Sequence, residues 1–227
     1  MNLSISLNPN TSDVVAIVVT YNPQPDQLKR LLEATLPQVK RILIIDNGSN
    51  PASLDLIGCF FQNLPIDLHS LGVNQGIAKA QNIGIQLAKK MGAKYVLLFD
   101  HDSLPAPDMV AKLLTAIQIK HQQGVRVGAV GPWYEDIRGA NLKSTPFVEN
   151  KGLRLIRKKK NQSDLNNMVS VSHLIASGSL IPMATLNLVG DMREDLFIDL
   201  VDIEWGLRAQ QLGYSLFGVC DGLMEHD

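Results

Sequence analysis

Residues 95–102 read YVLLFDHD, an apolar run rich in strand formers that ends in two carboxylates separated by one residue. Because successive side chains of an extended chain point to opposite sides, Asp100 and Asp102 are expected to face the same way. Mg²⁺ and Mn²⁺ prefer oxygen ligands, and Mg²⁺ is commonly held by one or two carboxylates plus substrate phosphates. The pattern therefore predicts a metal–diphosphate site at the mouth of a buried strand. A strand end followed by a helix cap is the structural alternative.

Strands and helices alternate on both sides of this stretch. Apolar or β-branched runs predict buried strands at 14–20, 41–45, 66–69, 95–99, 127–130, 169–176, 197–199 and 214–219. Helical periodicity predicts helices from Asp26 onward and at 52–61, 77–91, 107–121, 181–188 and 202–212. This alternation indicates an α/β fold with a mostly parallel, Rossmann-like central sheet and helices on both faces.

Polar residues follow three of the predicted strands. They are Thr20-Tyr21-Asn22, Asp46-Asn47 and Asp100-His101-Asp102. Ligands of such sheets bind beyond the carboxyl ends of the strands. We therefore expect the three clusters to converge on one edge of the sheet and to form a binding site there.

The domain organisation follows from where this pattern holds. Residues 1–12 are predicted to form a loose tail, and residues 13–227 a single domain, because no linker separates two cores. The alternation breaks between residues 133 and 169, where a mobile flap or short hairpins are predicted. The Lys158-Lys159-Lys160 run in this segment either meets a phosphate-bearing lipid or acceptor or, more commonly for charge runs, lies in solvent.

Composition excludes several classes of partner. The formal net charge of the 227 residues is −1 and aromatic residues make up 5%, so neither a global field nor stacking platforms favour nucleic acid. No apolar run approaches the roughly 18 residues of a membrane-spanning helix, and no secretory leader pattern is visible. Two isolated cysteines, Cys59 and Cys220, suit a reduced compartment. A cytoplasmic protein is expected.

The order of the motifs resembles glycosyltransferase family 2, which has the GT-A fold, and within it the bacterial rhamnosyltransferase-like branch. The resemblance spans residues 13–227, and the ordered set is more specific than any one motif. It implies a single GT-A domain that ends before the family's usual helical tail. The motifs are Val18-Val-Thr-Tyr-Asn22, Asp46-Asn-Gly-Ser49, Asn74-Gln-Gly-Ile-Ala78, Asn82-Ile-Gly84, Asp100-His-Asp102, Ser177-Gly178, Phe197-Ile-Asp-Leu-Val-Asp-Ile-Glu-Trp205 and Arg208.

The resemblance implies a nucleotide pocket at the first two strand ends. Thr20, Tyr21 and Asn22 would line it near the base and ribose. Asp46 would accept a hydrogen bond from the ring N–H of uracil or thymine, or from a ribose hydroxyl. A simple Asn-Pro turn at Asn22 is the structural alternative.

Asn74 and Gly76 precede the helix predicted at 77–91. Small residues here let a ligand approach the helix N-terminus, whose unpaired N–H groups favour negative charge. Capping of the helix by Asn74 is an alternative that is compatible with this role.

A metal site is also implied by the resemblance. Asp100 would lie near the ribose and the metal, and Asp102 would bind Mn²⁺ or Mg²⁺ more directly. His226 falls where many family members carry a metal- or diphosphate-binding histidine. His101 is predicted to point away from the site. The cation would act as a Lewis acid on the leaving diphosphate.

Asp202 is the candidate general base, which takes the proton of the acceptor hydroxyl. Val201 stands where the family usually carries an acidic residue, so Asp199 and Glu204 compete for the role. Asp202 as the N-cap of the next helix is the structural alternative. Trp205 either contacts the acceptor sugar or packs in the core.

Together these residues predict an inverting, metal-dependent glycosyltransferase. Its donor would be a nucleoside-diphosphate sugar, with dTDP-L-rhamnose expected and UDP-galactofuranose or a UDP-hexose as alternatives. The acceptor would be a saccharide or a lipid-linked molecule in cell-surface polysaccharide synthesis. Peripheral association with the inner face of the membrane through a missing C-terminal tail stays open.

The sequence argues against two rival functions. A nucleotidyltransferase would carry a glycine-rich basic loop where Thr20-Tyr21-Asn22-Pro23 stands. A non-catalytic nucleotide-sugar-binding protein would not need Asp100, Asp102 and Asp202 together.

Overall fold

The computed structural model describes residues 10–60, 64–136, 143–145, 147–151, 154–158 and 166–226. Its strands are β1 (Val14–Thr20), β2 (Arg41–Asp46), β3 (Ile66–Ser70), β4 (Tyr95–Asp100), β5 (Ser103–Pro105), β6 (Val127–Asp136), β7 (Lys143–Thr145), β8 (Phe147–Lys151), β9 (Arg154–Lys158), β10 (Met168–Val171), β11 (Leu180–Pro182) and β12 (Ser215–His226). Its α-helices are α1 (Pro25–Thr35), α2 (Pro51–Phe60), α3 (Ile77–Lys90), α4 (Met109–Gln122), α5 (Met183–Val189) and α6 (Val201–Gln211). Short 3-10 helices cover Thr11–Asp13, Leu36–Gln38 and Glu194–Leu196.

One large mixed sheet organises the molecule, with the order β10-β12-β6-β11-β4-β1-β2-β3, and β5 and β7 pair with β12 and β6. Strands β3, β2, β1 and β4 are parallel neighbours, and β12 is parallel to β6. Strand β11 lies antiparallel between β4 and β6, so the long strands on its two sides run the same way. The predicted α/β fold with a largely parallel sheet is confirmed.

Strand β1 forms the centre of the core. All seven of its residues are buried, as its unbroken apolar run predicts. Helix α3 packs closely on it because Gly84 lies against Ile17. A Cβ atom at position 84 would come within 2.5 Å of Ile17 Cγ2. Gly84 therefore lets α3 approach the sheet.

The strand register brings the polar strand ends together. Thr20 of β1 pairs with Asp46 of β2, and Val19 pairs with Asp100 of β4. The three strands thus end at the same level, side by side. As expected, the polar residues that end these strands lie together at one edge of the sheet.

Several elements differ from the sequence prediction. The strand predicted at 169–176 ends at Val171, and the helix predicted at 181–188 is split into β11 and α5. Pro182 closes β11 and, with a φ of −62°, starts α5. The predicted strand end at 197–199 is a turn, because Phe197 and Leu200 have positive φ values of 57° and 64°. Strand β12 continues beyond 219 because it pairs with β6 and then also with β5.

A hairpin of β8 and β9 lies within the segment predicted as a flap or short hairpins. Phe147 anchors it by packing edge-on against Trp133, with ring centroids 5.3 Å apart. Gly218 leaves room for this ring, since a Cβ there would lie 2.2 Å from it. Of the basic run, Lys158 pairs with Glu149 at 2.8 Å. Lys159 and Lys160 lie outside the described residues.

Helices α3 and α4 are the longest in the described ranges, at 14 residues each. A helix needs about 20 apolar residues to cross a bilayer. Within those ranges we find no helix with the length and apolar character of a membrane span.

Candidate active site

A pocket of about 500 Å³ opens at the carboxyl edge of the parallel strands. One wall, the strand-end wall, consists of the last residues of β1 and β4 and of residues that follow β1, β2 and β4. The opposite wall consists of the 190–200 loop and the start of α6. The lining residues are Val19, Thr20, Tyr21, Asn47, Asn74, Gly76, Ile77, Gln81, Asp100, His101, Asp102, Ile175, Ala176, Phe197, Ile198, Val201 and Asp202.

Residues at the end of β1 divide between the pocket and the turn behind it. Thr20 and Tyr21 line the pocket, and Tyr21 is 49% exposed. Asn22 is not a lining residue. Its Oδ1 accepts hydrogen bonds from the backbone N and the Nδ2 of Asn50, at 3.0 and 2.9 Å. In the structure this side chain braces the neighbouring turn, and the nucleotide contact of Asn22 stays a prediction.

Asp46 holds the turn after β2 together. It is 0% exposed, and its carboxylate accepts from Thr20 Oγ1 at 3.0 Å and from the backbone N of Gly48 and Ser49 at 3.2 and 3.0 Å. The hydroxyl of Ser49 also donates to it. These bonds occupy both oxygens away from the pocket. In the structure Asp46 thus organises this turn, and its contact with a base or ribose stays a prediction.

Asn47, the residue after Asp46, is the member of this pair that reaches the pocket. It lines the pocket and donates from Nδ2 to Asn74 Oδ1 at 2.9 Å. Its own Oδ1 accepts from the backbone N of Gln75 at 2.8 Å. Asn47 belongs to the same strand-end cluster as Asp46, and that membership is the sequence signal for its place in the pocket.

The N-terminus of α3 is capped by the opposite wall. The carbonyl of Phe197 accepts from the backbone N of Ile77 at 2.7 Å and of Ala78 at 3.4 Å. Asn74 Oδ1 accepts from the backbone N of Gly76 at 2.9 Å instead of capping α3 directly. The expectation that these N–H groups await an anionic ligand is corrected for Ile77 and Ala78. Asn74 and Gly76 do line the pocket.

The turn after β4 presents Asp100 and Asp102 to the pocket. Ser177, fully buried, fixes it: its hydroxyl accepts from the backbone N of Asp100 at 3.1 Å and lies 2.6 Å from Ser103 Oγ. The Ser177-Gly178 motif therefore positions the acidic turn. His101 also lines the pocket, against the expectation that it points away.

The donor set suits a hard divalent cation. Asp100 and Asp102 supply two carboxylates to one pocket. In the described part of the chain, no cluster of three or more His, Cys, Asp or Glu side chains has metal-binding geometry. Substrate phosphates and water usually complete the coordination of Mg²⁺ in proteins, and the ligand role of His226 stays a prediction. The backbone of His226 pairs with Ser103, but its imidazole lies outside the described part of the structure.

Asp202 is the one of the three competing carboxylates that lines the pocket. Its Oδ2 accepts from the backbone N of Ala176 at 3.2 Å and its Oδ1 from that of Ile203 at 2.7 Å. Glu204 is bound instead by both Nε and Nη2 of Arg208, each at 2.9 Å. Helix α6 begins after Leu200, so Asp202 lies in its first turn and is not its N-cap.

A buried phenol lies near two of these carboxylates. Burial raises the pKa of Tyr134 far above its usual value, and the negative charges of Asp202 and Asp100 raise it further. Tyr134 is therefore neutral throughout the ordinary pH range. Its hydroxyl donates to the carbonyl of Ser177 at 3.5 Å.

Trp205 lies behind the pocket. Its side chain is 3% exposed, and Nε1 donates to the carbonyl of Gly190 at 2.9 Å. An indole held in this way cannot offer its face to an acceptor sugar. Of the two predicted roles for Trp205, the structure has core packing.

The 190–200 loop is attached to α3 through Asn82. The side-chain amide of Asn82 donates to the carbonyl of Met192 at 2.9 Å and accepts from its N–H at 2.8 Å. It also donates to Glu194 Oε1 at 3.0 Å, and Lys79 pairs with Glu194 at 3.0 Å. These hydrogen bonds, from Asn82 first and then Lys79, lower the pKa of the Glu194 carboxyl.

Comparison with known proteins identifies the family. The family model described as "Glycosyl transferase family 2" matches residues 15–178. The chain belongs to this family. It is 31% identical over 216 residues to the "dTDP-rhamnosyl transferase RfbF" of Shigella flexneri, an alignment that covers 95% of this chain and 69% of the relative. The resemblance to family 2 and its rhamnosyltransferase-like branch is confirmed.

Solved structures share the fold. GalNAc-T7, solved with UDP, GalNAc and Mn²⁺, superposes with a TM-score of 0.79 at 17% identity over 96% of this chain and 44% of that one. TarS of S. aureus gives 0.66 at 14% identity over 94% and 36%. The mannosyltransferase PcManGT from Pyrobaculum calidifontis, in complex with GDP-Man and Mn²⁺, gives 0.64 at 16% identity over 98% and 59%. The chain thus spans less than two thirds of each of these structures.

Proposed function

We propose that residues 13–227 form a single catalytic domain that transfers L-rhamnose from dTDP-L-rhamnose, with inversion, to a saccharide or lipid-linked acceptor. The observation that carries the proposal is the presence of Asp100, Asp102 and Asp202 in one pocket at the carboxyl edge of the sheet. Two of these carboxylates lie on the strand-end wall and the third on the opposite wall. In a donor bound between the two walls, the leaving diphosphate would lie near Asp100 and Asp102, and the reacting anomeric carbon would lie near Asp202.

Asp100 and Asp102 are the residues that would hold Mn²⁺ or Mg²⁺. When bound, the cation neutralises charge on the leaving nucleoside diphosphate as a Lewis acid. By fixing where the cation binds, the two carboxylates would determine where the diphosphate end of the donor lies. Asn47, Asn74 and Tyr21 offer hydrogen-bond partners for the nucleoside on the same wall.

Asp202 acts as the general base. The acceptor hydroxyl oxygen forms a bond to the anomeric carbon, the bond from that carbon to the diphosphate oxygen breaks, and the hydroxyl proton passes to Asp202. A single displacement of this kind inverts the configuration at the anomeric carbon. The hydrogen bonds from Ala176 and Ile203 fix the orientation of the carboxylate before the acceptor binds.

The choice of donor is supported by the Shigella relative, whose name specifies dTDP-rhamnose. A UDP-sugar is the second candidate, because TarS, which has the same fold, was solved in complex with UDP and with UDP-GlcNAc. An acceptor would lie beside the 190–200 loop, where Ile198 is 64% exposed and Phe197 and Leu200 are also exposed. An apolar rim suits a lipid-linked acceptor, and the reaction would then take place at the inner face of the membrane.

The test is calorimetric titration of dTDP and UDP into the protein with and without Mn²⁺ or Mg²⁺. The cation is expected to tighten binding, and Asp102→Ala to remove that effect. Asp55→Ala, which removes an exposed carboxylate on α2, is the matched control and should keep the metal effect. Nucleotide binding that ignores the cation, or an unchanged metal effect in Asp102→Ala, would contradict the site.

A further inference from the structure

Residues 176–179 form a tight turn just before β11. The backbone N of Ser179 donates to the carbonyl of Ala176 at 3.0 Å. Gly178, the third residue, has a φ of +78°, the sign that a type II turn requires at that position. A Cβ at Gly178 would lie 2.6 Å from Pro132 Cγ on β6. Glycine therefore permits both the backbone conformation of the turn and its close approach to β6.

Backbone hydrogen bonds attach the 176–179 turn to β4. The N–H of Gly178 donates to the carbonyl of Leu98 at 2.7 Å, and the N–H of Leu98 donates to the carbonyl of Ser179 at 3.0 Å. Leu98 precedes Asp100 by two residues on the same strand. Because these bonds use backbone atoms only, replacing a side chain of the turn does not remove them. The turn is thus a fixed reference point beside the end of β4.

The hydroxyl of Ser177 holds both ends of the acidic turn that contains Asp102. Its Oγ accepts from the backbone N of Asp100 at 3.1 Å and lies 2.6 Å from Oγ of Ser103. Ser177 is fully buried, and a polar group left unpaired beside a buried side chain is costly. An apolar side chain at position 177 would therefore leave the acidic turn without one of its attachments.

The preceding residue of the same turn holds the proposed base. The N–H of Ala176 donates to Asp202 Oδ2 at 3.2 Å. Across the rigid peptide that joins Ala176 to Ser177, consecutive Cα atoms lie about 3.8 Å apart. Two adjacent residues of one turn therefore set the positions of the acidic turn on one wall and of Asp202 on the other.

We propose that the 176–179 turn is a bracket that fixes the spacing between the metal–diphosphate site and the general base, with Ser177 as its positioning residue on the metal side. The inference rests on the proposed function for the roles of Asp100, Asp102 and Asp202. Ser177 lies fully buried behind the described lining of the pocket, so it acts through the acidic turn. Carboxylates that are already in place bind a cation without the cost of ordering the turn. The hydroxyl should therefore strengthen binding of the cation and of the nucleotide that shares it.

Three variants separate the parts of the bracket. Ser177→Ala removes the acceptor of the Asp100 N–H. Ser177→Cys also weakens that bond, because sulfur is a weak acceptor, but it fills the buried space and should fold even where the alanine variant does not. Gly178→Ala displaces the whole turn, since its Cβ would meet Pro132 and its positive φ is strained for alanine.

Ser179→Ala is the matched control. It removes another buried hydroxyl of the turn, which donates to the carbonyl of Ile175 at 2.6 Å instead of to the acidic turn. Calorimetry measures the binding of dTDP with and without Mn²⁺. Amide hydrogen exchange followed by NMR measures, in the metal-free protein, how firmly the Asp100 and Ala176 N–H groups are held.

The two Ser177 variants should reduce the tightening of dTDP binding by Mn²⁺ by roughly 3- to 10-fold, the value of one hydrogen bond. Binding of dTDP without the cation should stay within about twofold of wild type. Exchange of the Asp100 amide should become faster, and that of the Ala176 amide should not change. Gly178→Ala should speed exchange at both amides and also weaken the metal effect. Ser179→Ala should leave the metal effect and the Asp100 amide unchanged.

The outcomes distinguish this inference from the proposed function. An unchanged metal effect in the two Ser177 variants, or an equal loss in Ser179→Ala, overturns the positioning role. A Gly178→Ala protein in which only one of the two amides, or neither, exchanges faster overturns the shared bracket. A wild type whose dTDP binding ignores Mn²⁺ contradicts the proposed metal site, whereas the exchange rates still decide whether one turn holds both walls.

Discussion

The two walls of the pocket are built in different ways. The strand-end wall takes its side chains from the ends of β1, β2 and β4, whose register aligns Thr20 with Asp46 and Val19 with Asp100. The opposite wall is the 190–200 loop, which contains no strand or α-helix and has two non-glycine residues, Phe197 and Leu200, at positive φ. Regular sheet pairing fixes the first wall, and side chains of α3 and α6 fix the second.

In the proposed function, this difference places donor binding on one wall and the general base on the other. The residues that would hold the diphosphate end lie on the rigid wall, and Asp202 lies just after the loop. Loops held by a few long-range contacts open more easily than sheet strands. The loop wall is therefore the one where acceptor entry and product release are expected, and its attachments are the places to test the comparison.

The largest effect is expected from Asp202→Asn, which separates the chemical roles of the walls. Transfer should fall by roughly 100- to 10,000-fold, because the amide cannot take the acceptor proton. Binding of dTDP with Mn²⁺ should stay near the wild-type value, since that function belongs to the strand-end wall. Initial rates of sugar transfer and calorimetry measure the two effects. A fully active Asp202→Asn enzyme would assign the base to another residue.

The contact between the walls is tested by Gly76→Ala. Gly76 has a φ of +85°, and a Cβ there would lie 2.6 Å from Phe197 Cδ2 and 2.7 Å from its carbonyl oxygen. We expect a loss of about 3 kcal/mol in the free energy of unfolding, from backbone strain plus overpacking. Gly72→Ala is the control, because Gly72 also has a positive φ, +74°, but open space around it. It should lose only about 1–2 kcal/mol, and equal losses measured by urea unfolding would deny the contact.

The attachment of the loop to α3 is tested by Asn82→Ala. The change leaves the N–H and C=O of buried Met192 without their side-chain partner, which should cost about 2–4 kcal/mol in unfolding free energy. Faster proteolysis or hydrogen exchange within 190–200 should accompany the loss. Gln86→Ala removes only exposed contacts to Asp191 at 3.3 and 3.4 Å and should stay within about 0.5 kcal/mol of wild type. Comparable effects of the two substitutions would show that Asn82 has no special role.

The smallest expected effect is the loss, at low pH, of the stability that Glu194 contributes. The pKa of Glu194 is lowered from 4.5 by its hydrogen bonds to Asn82 and Lys79, so the stability it contributes is present above about pH 4.5 and is lost as the pH falls through the lower folded value. Glu194→Gln should therefore destabilise the protein at pH 7, by less than about 1 kcal/mol because the side chain is exposed. The difference from wild type should disappear near pH 3. Thermal unfolding at the two pH values measures it, and a pH-independent difference would contradict the ion-pair role.

The sequence predicted the strand-end wall well because its determinants are local. An apolar run followed by Asp100 and Asp102 predicts both a strand and the two carboxylates at its end. The parallel alternation then supplied the neighbours, and the structure has Thr20 and Asp100 in one pocket. The sequence does not show which way each side chain of a cluster points: Asp46 and Asn22 belong to the predicted clusters, and in the structure their oxygens accept hydrogen bonds from the adjoining turns.

The loop wall was harder to predict because its determinants are distant in sequence. Phe197-Ile198 resembles a strand end, and only the carbonyl contact to Ile77, 120 residues earlier in the numbering, shows why it is a turn. Gln81, which lines the pocket, could not be predicted because a glutamine in a helix carries no local signal. Its burial depends on how α3 packs against the sheet, and spacing along the chain does not reveal that.

The close approach of Gly76 to Phe197 also constrains redesign. Any side chain at position 76 requires another backbone path at 197, and another path at 197 withdraws the carbonyl that now serves Ile77. The two positions must therefore be exchanged as a pair when the loop is replaced to accept a different acceptor. A graft of the 190–200 loop alone, taken from a relative without glycine at 76, is expected to leave the start of α3 uncapped.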